Sequence, residues 1–180
     1  MKEPGDREPQ ILEWHGPVKV VATGEGEEKK LAFFEGRPSI IEGHDGEFQM
    51  AHPRPLTAVS GLYYILGDHV VHGQRKLLYV GLHNPESKAT ILERWKQHEG
   101  WLLEEWDWRL ELFWAKRPAG MKWTTLGKIE GMLIASHQPI YNTAKKNSYR
   151  GMGSRYTVWN TGNFPGLLPE VSADHPWNCW

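Results

Sequence analysis

Five side chains in this sequence could do chemistry together if the fold gathers them: two phenols, a guanidinium, an imidazole and a carboxylate. Tyr63 stands near a glycine in GLYYIL (Gly61 to Leu66), and Tyr79 stands near another in YVG (Tyr79 to Gly81). Arg94 and His98 are four residues apart in RWKQH, and Glu130 is followed nine residues later by Pro139 and twelve later by Asn142. A phenol or an imidazole can give or take a proton. A guanidinium can grip an anion with two parallel donors, and a carboxylate can hold a hard cation. Each residue alone has a plainer use. A tyrosine on a packed strand usually fills a core and finds a partner for its hydroxyl. An arginine and a histidine at i and i+4 most often form a solvated helix face, and a glutamate beside an apolar stripe is usually a surface residue. The ordered series raises the chemical reading above these.

The elements that must position these residues are legible from periodicity. SGLYYIL (Ser60 to Leu66) and KLLYVG (Lys76 to Gly81) are dense in aliphatic, aromatic and β-branched residues. They read as two strands, joined by a polar connection holding Gly67, Asp68 and Gly73. From Glu86 to about Leu103, Ala89, Leu92 and Trp95 recur at helical spacing behind Pro85, which predicts a helix with Arg94 and His98 on one face. WRLELFWAK (Trp108 to Lys116) alternates as a third strand. A second helix is expected from about Thr124 to Ser136, with Leu126, Ile129, Leu133 and Ile134 as its stripe and Glu130 on its flank. The order β-β-α-β-α predicts an α+β fold, a small and mostly antiparallel three-stranded sheet covered by helices. Ahead of it, GPVKVVAT (Gly16 to Thr23) and KLAFFEG (Lys30 to Gly36) read as a hairpin. PSIIEG and EFQMA read as further short strands, and AHPRPL (Ala51 to Leu56) as a linker. The chain thus divides into an N-terminal β arm over 1–56, a central domain over 57–145 and an irregular C-terminal extension over 146–180.

At 180 residues, 39% hydrophobic and 24% charged, the chain has the composition of a soluble globular protein. No run reaches the roughly 18 apolar residues of a membrane span, and MKEPGDREPQ lacks the apolar region of a secretion signal. Cys179 is the only cysteine, which excludes an internal disulfide or a cysteine-based zinc site and makes a reducing cytoplasm the expected compartment. His69 and His72 flank two valines but lack further ligands at a recognisable spacing. The net charge of −1 argues weakly against a nucleic-acid binder, yet the charge is unevenly spread. Residues 1–56 hold 7 basic and 11 acidic residues, a net of −4, and the remainder hold 14 and 11, a net of +3. Residues 142–169 contain Lys145, Lys146, Arg150 and Arg155 and no acid. Interleaved with Tyr149, Tyr156 and Trp159, these cations could grip the phosphates of a strand whose bases stack on the rings. The same aromatics could equally anchor a segment wrapped on the domain.

On these residues the sequence resembles the GIY-YIG nucleases. The family's first signature stands here as Gly61-Leu62-Tyr63 and its second as Tyr79-Val80-Gly81, each with one conservative aliphatic exchange. Its helical arginine corresponds to Arg94, its metal-binding glutamate to Glu130, and the proline and asparagine that follow to Pro139 and Asn142. His98 matches the Arg-x-x-x-His variant of some restriction endonucleases in the family, and the resemblance covers about residues 60–143. It implies a divalent-metal-dependent endonuclease cutting DNA, with RNA left open, and a restriction-type role on the histidine alone. The alternative is a module that keeps this fold and binds nucleic acid without turnover. The resemblance also implies Mg2+ or Mn2+ on Glu130, Tyr63 as general base, Tyr79 assisting it or orienting the water, Arg94 on the scissile phosphate and His98 relaying a proton or contacting phosphate. Gly61, Gly81 and Asn142 support the site. Phosphodiester hydrolysis suits these residue types, because it needs an activated water, stabilised charge on the phosphoryl oxygens and help for the leaving oxygen. Target choice is expected from residues 1–56, from the tail or from self-association into a homo-oligomer.

Overall fold

The structure, a computed structural model, describes residues 9–23, 30–35, 60–84, 94, 110–146 and 156–172. Its elements are β1 (Gln10–Thr23), β2 (Lys30–Glu35), β3 (Gly61–His69), β4 (Gly73–His83), β5 (Leu110–Lys116), α1 (Trp123–His137), β6 (Thr157–Gly162) and β7 (Glu170–Ser172). The fold is α+β as the periodicity predicts, but the sheet is larger than the expected three strands. It has seven, in the order β4-β3-β5-β1-β6-β7, with β2 also paired to β1. No helix among the described residues is long and apolar enough to cross a membrane.

The three expected strands form one end of this sheet, β3 pairing antiparallel with β4 on one side and β5 on the other. The reason it continues lies in β5. Leu110, Glu111, Leu112, Phe113 and Ala115 are all buried, and an exposed edge strand of that composition would template aggregation. β1 covers that edge, running antiparallel from Trp14↔Ala115 to Val20↔Leu110 with a bulge between His15 and Val18. The opposite side of β1 takes two partners in succession. Gln10 to Trp14 pair parallel with β6, and Val18 to Thr23 pair antiparallel with β2.

The C-terminal extension is therefore not irregular where it is described. β6 alternates buried Val158 and Asn160 with exposed Trp159, and Asn160 ties it down: Trp14 Nε1 donates to Asn160 Oδ1 at 2.8 Å, and Asn160 Nδ2 donates to the Leu168 carbonyl at 2.7 Å. A six-residue strand that finds its partner far back along the chain leaves only a faint local pattern, so it reads as coil from sequence.

The connection between β3 and β4 also differs from expectation, because only Val70 to His72 lie outside the strands. The hairpin runs past the core, and residues 70–76 are all exposed. A paired backbone with solvated side chains has the composition of a loop. Polar side chains shape the tip: His69 Nδ1 accepts from the N–H groups of Val71 and His72, and Asp68 Oδ1 from that of Arg75.

One core joins all three parts of the chain. Leu126, Ile129, Met132, Leu133 and Ile134 of α1 pack with Leu12 and Trp14 of β1, Leu62 and Tyr64 of β3, Phe113 of β5, and Val158 and Val171 near the C-terminus. A smaller cluster on the opposite face of β3 contains Tyr63, Ile65, Leu78, Leu110 and Leu112. Helix α1 ends where Gln138 turns left-handed and its N–H donates to the Ile134 carbonyl at 2.9 Å, just ahead of Pro139. The short strands expected over 38–51, the linker, and the helix expected from Glu86 to Leu103 lie outside the described residues, except that Arg94 is helical.

Candidate active site

β3 and β4 set the two phenols side by side. Directly opposite residues of an antiparallel pair share a face, and Tyr63 lies opposite Gly81 while Tyr79 lies opposite Ile65. Tyr63 is 2% exposed, and a Cβ on Gly81 would come within 2.6 Å of its hydroxyl oxygen and closer still to its ring. Only glycine leaves room for that ring. Gly61 has a reason of the same kind, since a Cβ there would run into the carbonyl of Ala115 on β5. The two signature glycines are thus required by close approach rather than by a turn. The two tyrosine rings stack with centroids 6.0 Å apart and planes 28° apart, and their hydroxyls share a hydrogen bond.

Arg94 and Glu130 act on the same pair. Burial is the main influence on Tyr63 and pushes its pKa well above the ordinary phenol range. Tyr79 and the Glu130 charge push the same way, and Arg94 opposes them. Tyr79 is raised too, first by burial and then by Glu130, with Arg94 and the hydrogen bond from Tyr63 working against the rise. That shared bond favours a phenolate on Tyr79 over one on Tyr63, because the charged oxygen is the better acceptor. Arg94 itself is partly buried.

Glu130 projects from the middle of α1 with its side chain 13% exposed, and its Oε2 accepts a hydrogen bond from the ammonium of Lys145. Lys145 arrives from the segment after the helix, which is pinned along the outer edge of β4. The Ile140 N–H donates to the Leu77 carbonyl at 3.1 Å and the Tyr141 N–H to the Leu78 carbonyl at 2.8 Å. Asn142 then makes a two-point contact with Val80, its Nδ2 donating to the carbonyl and its Oδ1 accepting from the N–H, both at 2.9 Å. Val80 is the middle residue of Tyr79-Val80-Gly81, so Asn142 fixes the strand that carries Tyr79.

The structure therefore brings Tyr63, Tyr79, Arg94, Glu130, Gly81 and Asn142 into one neighbourhood. It adds Lys145, which the charge pattern alone assigns to a strand-gripping tail. The available signal was its position three residues beyond Asn142, too close to leave the site. Lys146 turns away, its ammonium donating to the Ile140 carbonyl at 3.2 Å, and burial lowers its pKa. His98, Arg150 and Arg155 lie outside the described residues.

The donor set limits which metal the site could hold. No three His, Cys, Asp or Glu residues gather among the described residues. What remains is a single carboxylate beside hydroxyls, which fits a hard cation that keeps most of its waters. Glu130 already accepts one positive partner in Lys145, so its carboxylate is disposed toward a cation. No family model, curated protein or solved structure matches the chain.

Proposed function

We propose that this chain is a divalent-metal-dependent endonuclease of the GIY-YIG type that hydrolyses phosphodiester bonds in DNA. The observation that carries the reading is the convergence of Arg94 and Glu130, from separate parts of the chain, on the hydrogen-bonded pair Tyr63 and Tyr79. Four residues that resemble one family's catalytic set in sequence order also interact electrostatically in space, which a chance match of tripeptides has no reason to produce.

In this reading Glu130 holds Mg2+ or Mn2+. When bound, the ion supplies positive charge to the phosphoryl oxygens and acidifies a water. Arg94 grips the scissile phosphate, where its planar fork can bond two oxygens at once. Tyr63 accepts the proton of the attacking water and Tyr79 orients that water; the shared hydrogen bond works against the Tyr63 phenolate, a cost that the Arg94 charge offsets in part. His98, four residues after Arg94 in the sequence, would relay a proton to the leaving oxygen. Gly81 keeps the Tyr63 ring in place, and Asn142 keeps Tyr79 in place. Burial of Tyr63 and the partial burial of Tyr79 work against their ionisation, so the base depends on nearby positive charge, of which Arg94 is one source.

A second reading keeps the fold as a nucleic-acid-binding module without turnover. It is favoured by the Lys145–Glu130 ion pair, which already neutralises the carboxylate. Plasmid, linear duplex, single-stranded and RNA substrates incubated with the full chain and Mg2+ or Mn2+ separate the two. The nuclease reading expects cutting that disappears in Glu130→Gln and in chelator. Salt-dependent binding with no cutting under any metal would establish the module instead, and cutting undiminished in Glu130→Gln would remove Glu130 from the mechanism.

A further inference from the structure

The ion pair on Glu130 is not an ordinary surface contact. Exposed pairs between flexible side chains contribute little, because both partners lose rotamer freedom to meet in water. Here the carboxylate is 13% exposed, and the lysine is delivered by a backbone that three residues clamp to β4. Lys145 itself takes φ +67, a left-handed conformation that costs a non-glycine residue free energy and persists only where its surroundings enforce it. Gln138 Nε2, donating to the Lys146 carbonyl at 3.2 Å, closes the segment from the far side. The fold thus fixes the base of the lysine and leaves its side chain 42% exposed, so the ammonium has solvent to move into while the backbone stays put.

We propose that Lys145 is a tethered competitor for the divalent cation, its ammonium occupying Glu130 until the metal displaces it and thereby setting the cation concentration at which the site loads. The proposal rests on the metal-dependent reading above. An ammonium sits on a carboxylate oxygen at about 2.7–2.9 Å, and Mg2+ binds such an oxygen at about 2.0–2.1 Å. Two cations that close on one small carboxylate repel strongly in a partly buried site, so they exchange rather than share it. The neutralised resting state also spares the protein an unpaired, mostly buried carboxylate near the buried Tyr63 and the half-buried Tyr79. When the metal binds, the released ammonium stays tethered near the site by its fixed backbone, with solvent to move into.

The test measures Mn2+ binding to the full chain directly, by loss of the free-ion paramagnetic resonance signal and by calorimetry. Lys145→Met is expected to tighten Mn2+ binding about fivefold or more, the low end of typical coupling between linked sites. Lys145→Arg should stay near the wild type, and Glu130→Gln should abolish saturable binding with or without Lys145. In the unsubstituted protein, the side-chain carbon resonance of Lys145 should shift saturably on Mg2+ addition, which keeps the test alive if a variant fails to fold. Unchanged or weaker Mn2+ binding in Lys145→Met, no saturable binding in any form, or a Lys145 resonance indifferent to Mg2+ would each overturn the proposal. Cleavage is scored separately: competitive Mn2+ binding without cutting would sink the nuclease reading and leave the competitor standing.

Discussion

The hydroxyl of Tyr63 sits where packing and proposed chemistry pull against each other. Its ring needs the space over Gly81, and its burial raises its pKa, so the form that would accept a proton is the form the site disfavours. A Tyr63→Phe variant keeps the ring and removes only the hydroxyl. Cleavage should fall by about 100-fold or more, the usual contribution of a positioned base, while urea unfolding should change by only about 1 kcal/mol for the lost hydrogen bond. In the wild type, both raised phenols mean that the phenolate fraction keeps growing as pH rises, so the rate should climb from neutral into alkaline solution without levelling. A rate that is flat with pH, or a fully active Tyr63→Phe, would show that this phenol is not the base. The tyrosines and glycines were legible in the sequence as residue types near one another. That Gly81 is small because a ring lies on it was not, because the ring comes from the neighbouring strand.

At the scale of elements, the segment after α1 shapes the site by bracing the strand that carries Tyr79. Asn142 substitutes for a strand partner along the outer edge of β4, and it does so with both halves of one amide. Asn142→Leu would leave the N–H and the carbonyl of Val80 buried without that partner. Unfolding free energy should drop by about 1–3 kcal/mol. Cleavage should drop further than stability predicts, since the strand that carries Tyr79 loses its anchor. The check is thermal or urea unfolding beside cleavage at a temperature where the variant remains folded. The helix was legible within one residue at each end, because Leu126, Ile129, Leu133 and Ile134 recur at its period. The role of Asn142 was expected from family likeness as support in general terms, but its partner was not, since nothing in local sequence says which strand it meets.

Across the whole molecule, His137 joins the helix to the C-terminal segment. Its Nδ1–H donates to the Leu133 carbonyl at 2.9 Å, and its Nε2 accepts from the Leu168 N–H at 2.8 Å, which requires the neutral ring. Burial lowers its pKa, and the bond to Leu133 only partly offsets this. A folded pKa below the unfolded value of about 6.5 means that the unfolded chain takes up the proton first. The stability this residue contributes is therefore present above about pH 6.5 and lost as pH falls through the folded pKa. Urea midpoints should decline from pH 7.5 to 5.5, with a shallower decline in His137→Gln, whose amide can donate and accept without titrating. An equal decline in the variant would assign the acid sensitivity elsewhere. This link matters because β6, β7 and the loop between them help complete the core: Tyr64 donates to the Pro165 carbonyl at 3.0 Å, and Trp14 bonds Asn160.

By itself the sequence determined what short-range physics controls: the apolar, aromatic-rich runs of β3 and β4, the alternating run of β5, the helical stripe of α1, and the set of residue types that could act on a phosphodiester. It did not determine the extent of the sheet. β1 lies between β5 and β6, and its parallel pairing with β6 joins residues near opposite ends of the chain, so nothing within a local window encodes it. It misread the β3–β4 tip, because a projecting hairpin has the exposed, polar composition of a loop. It placed Lys145 among tail cations, because charge counting cannot see a backbone that turns left-handed and returns a side chain to Glu130. Tertiary structure decided these points, since each depends on a partner that the chain reaches only after it has folded back on itself.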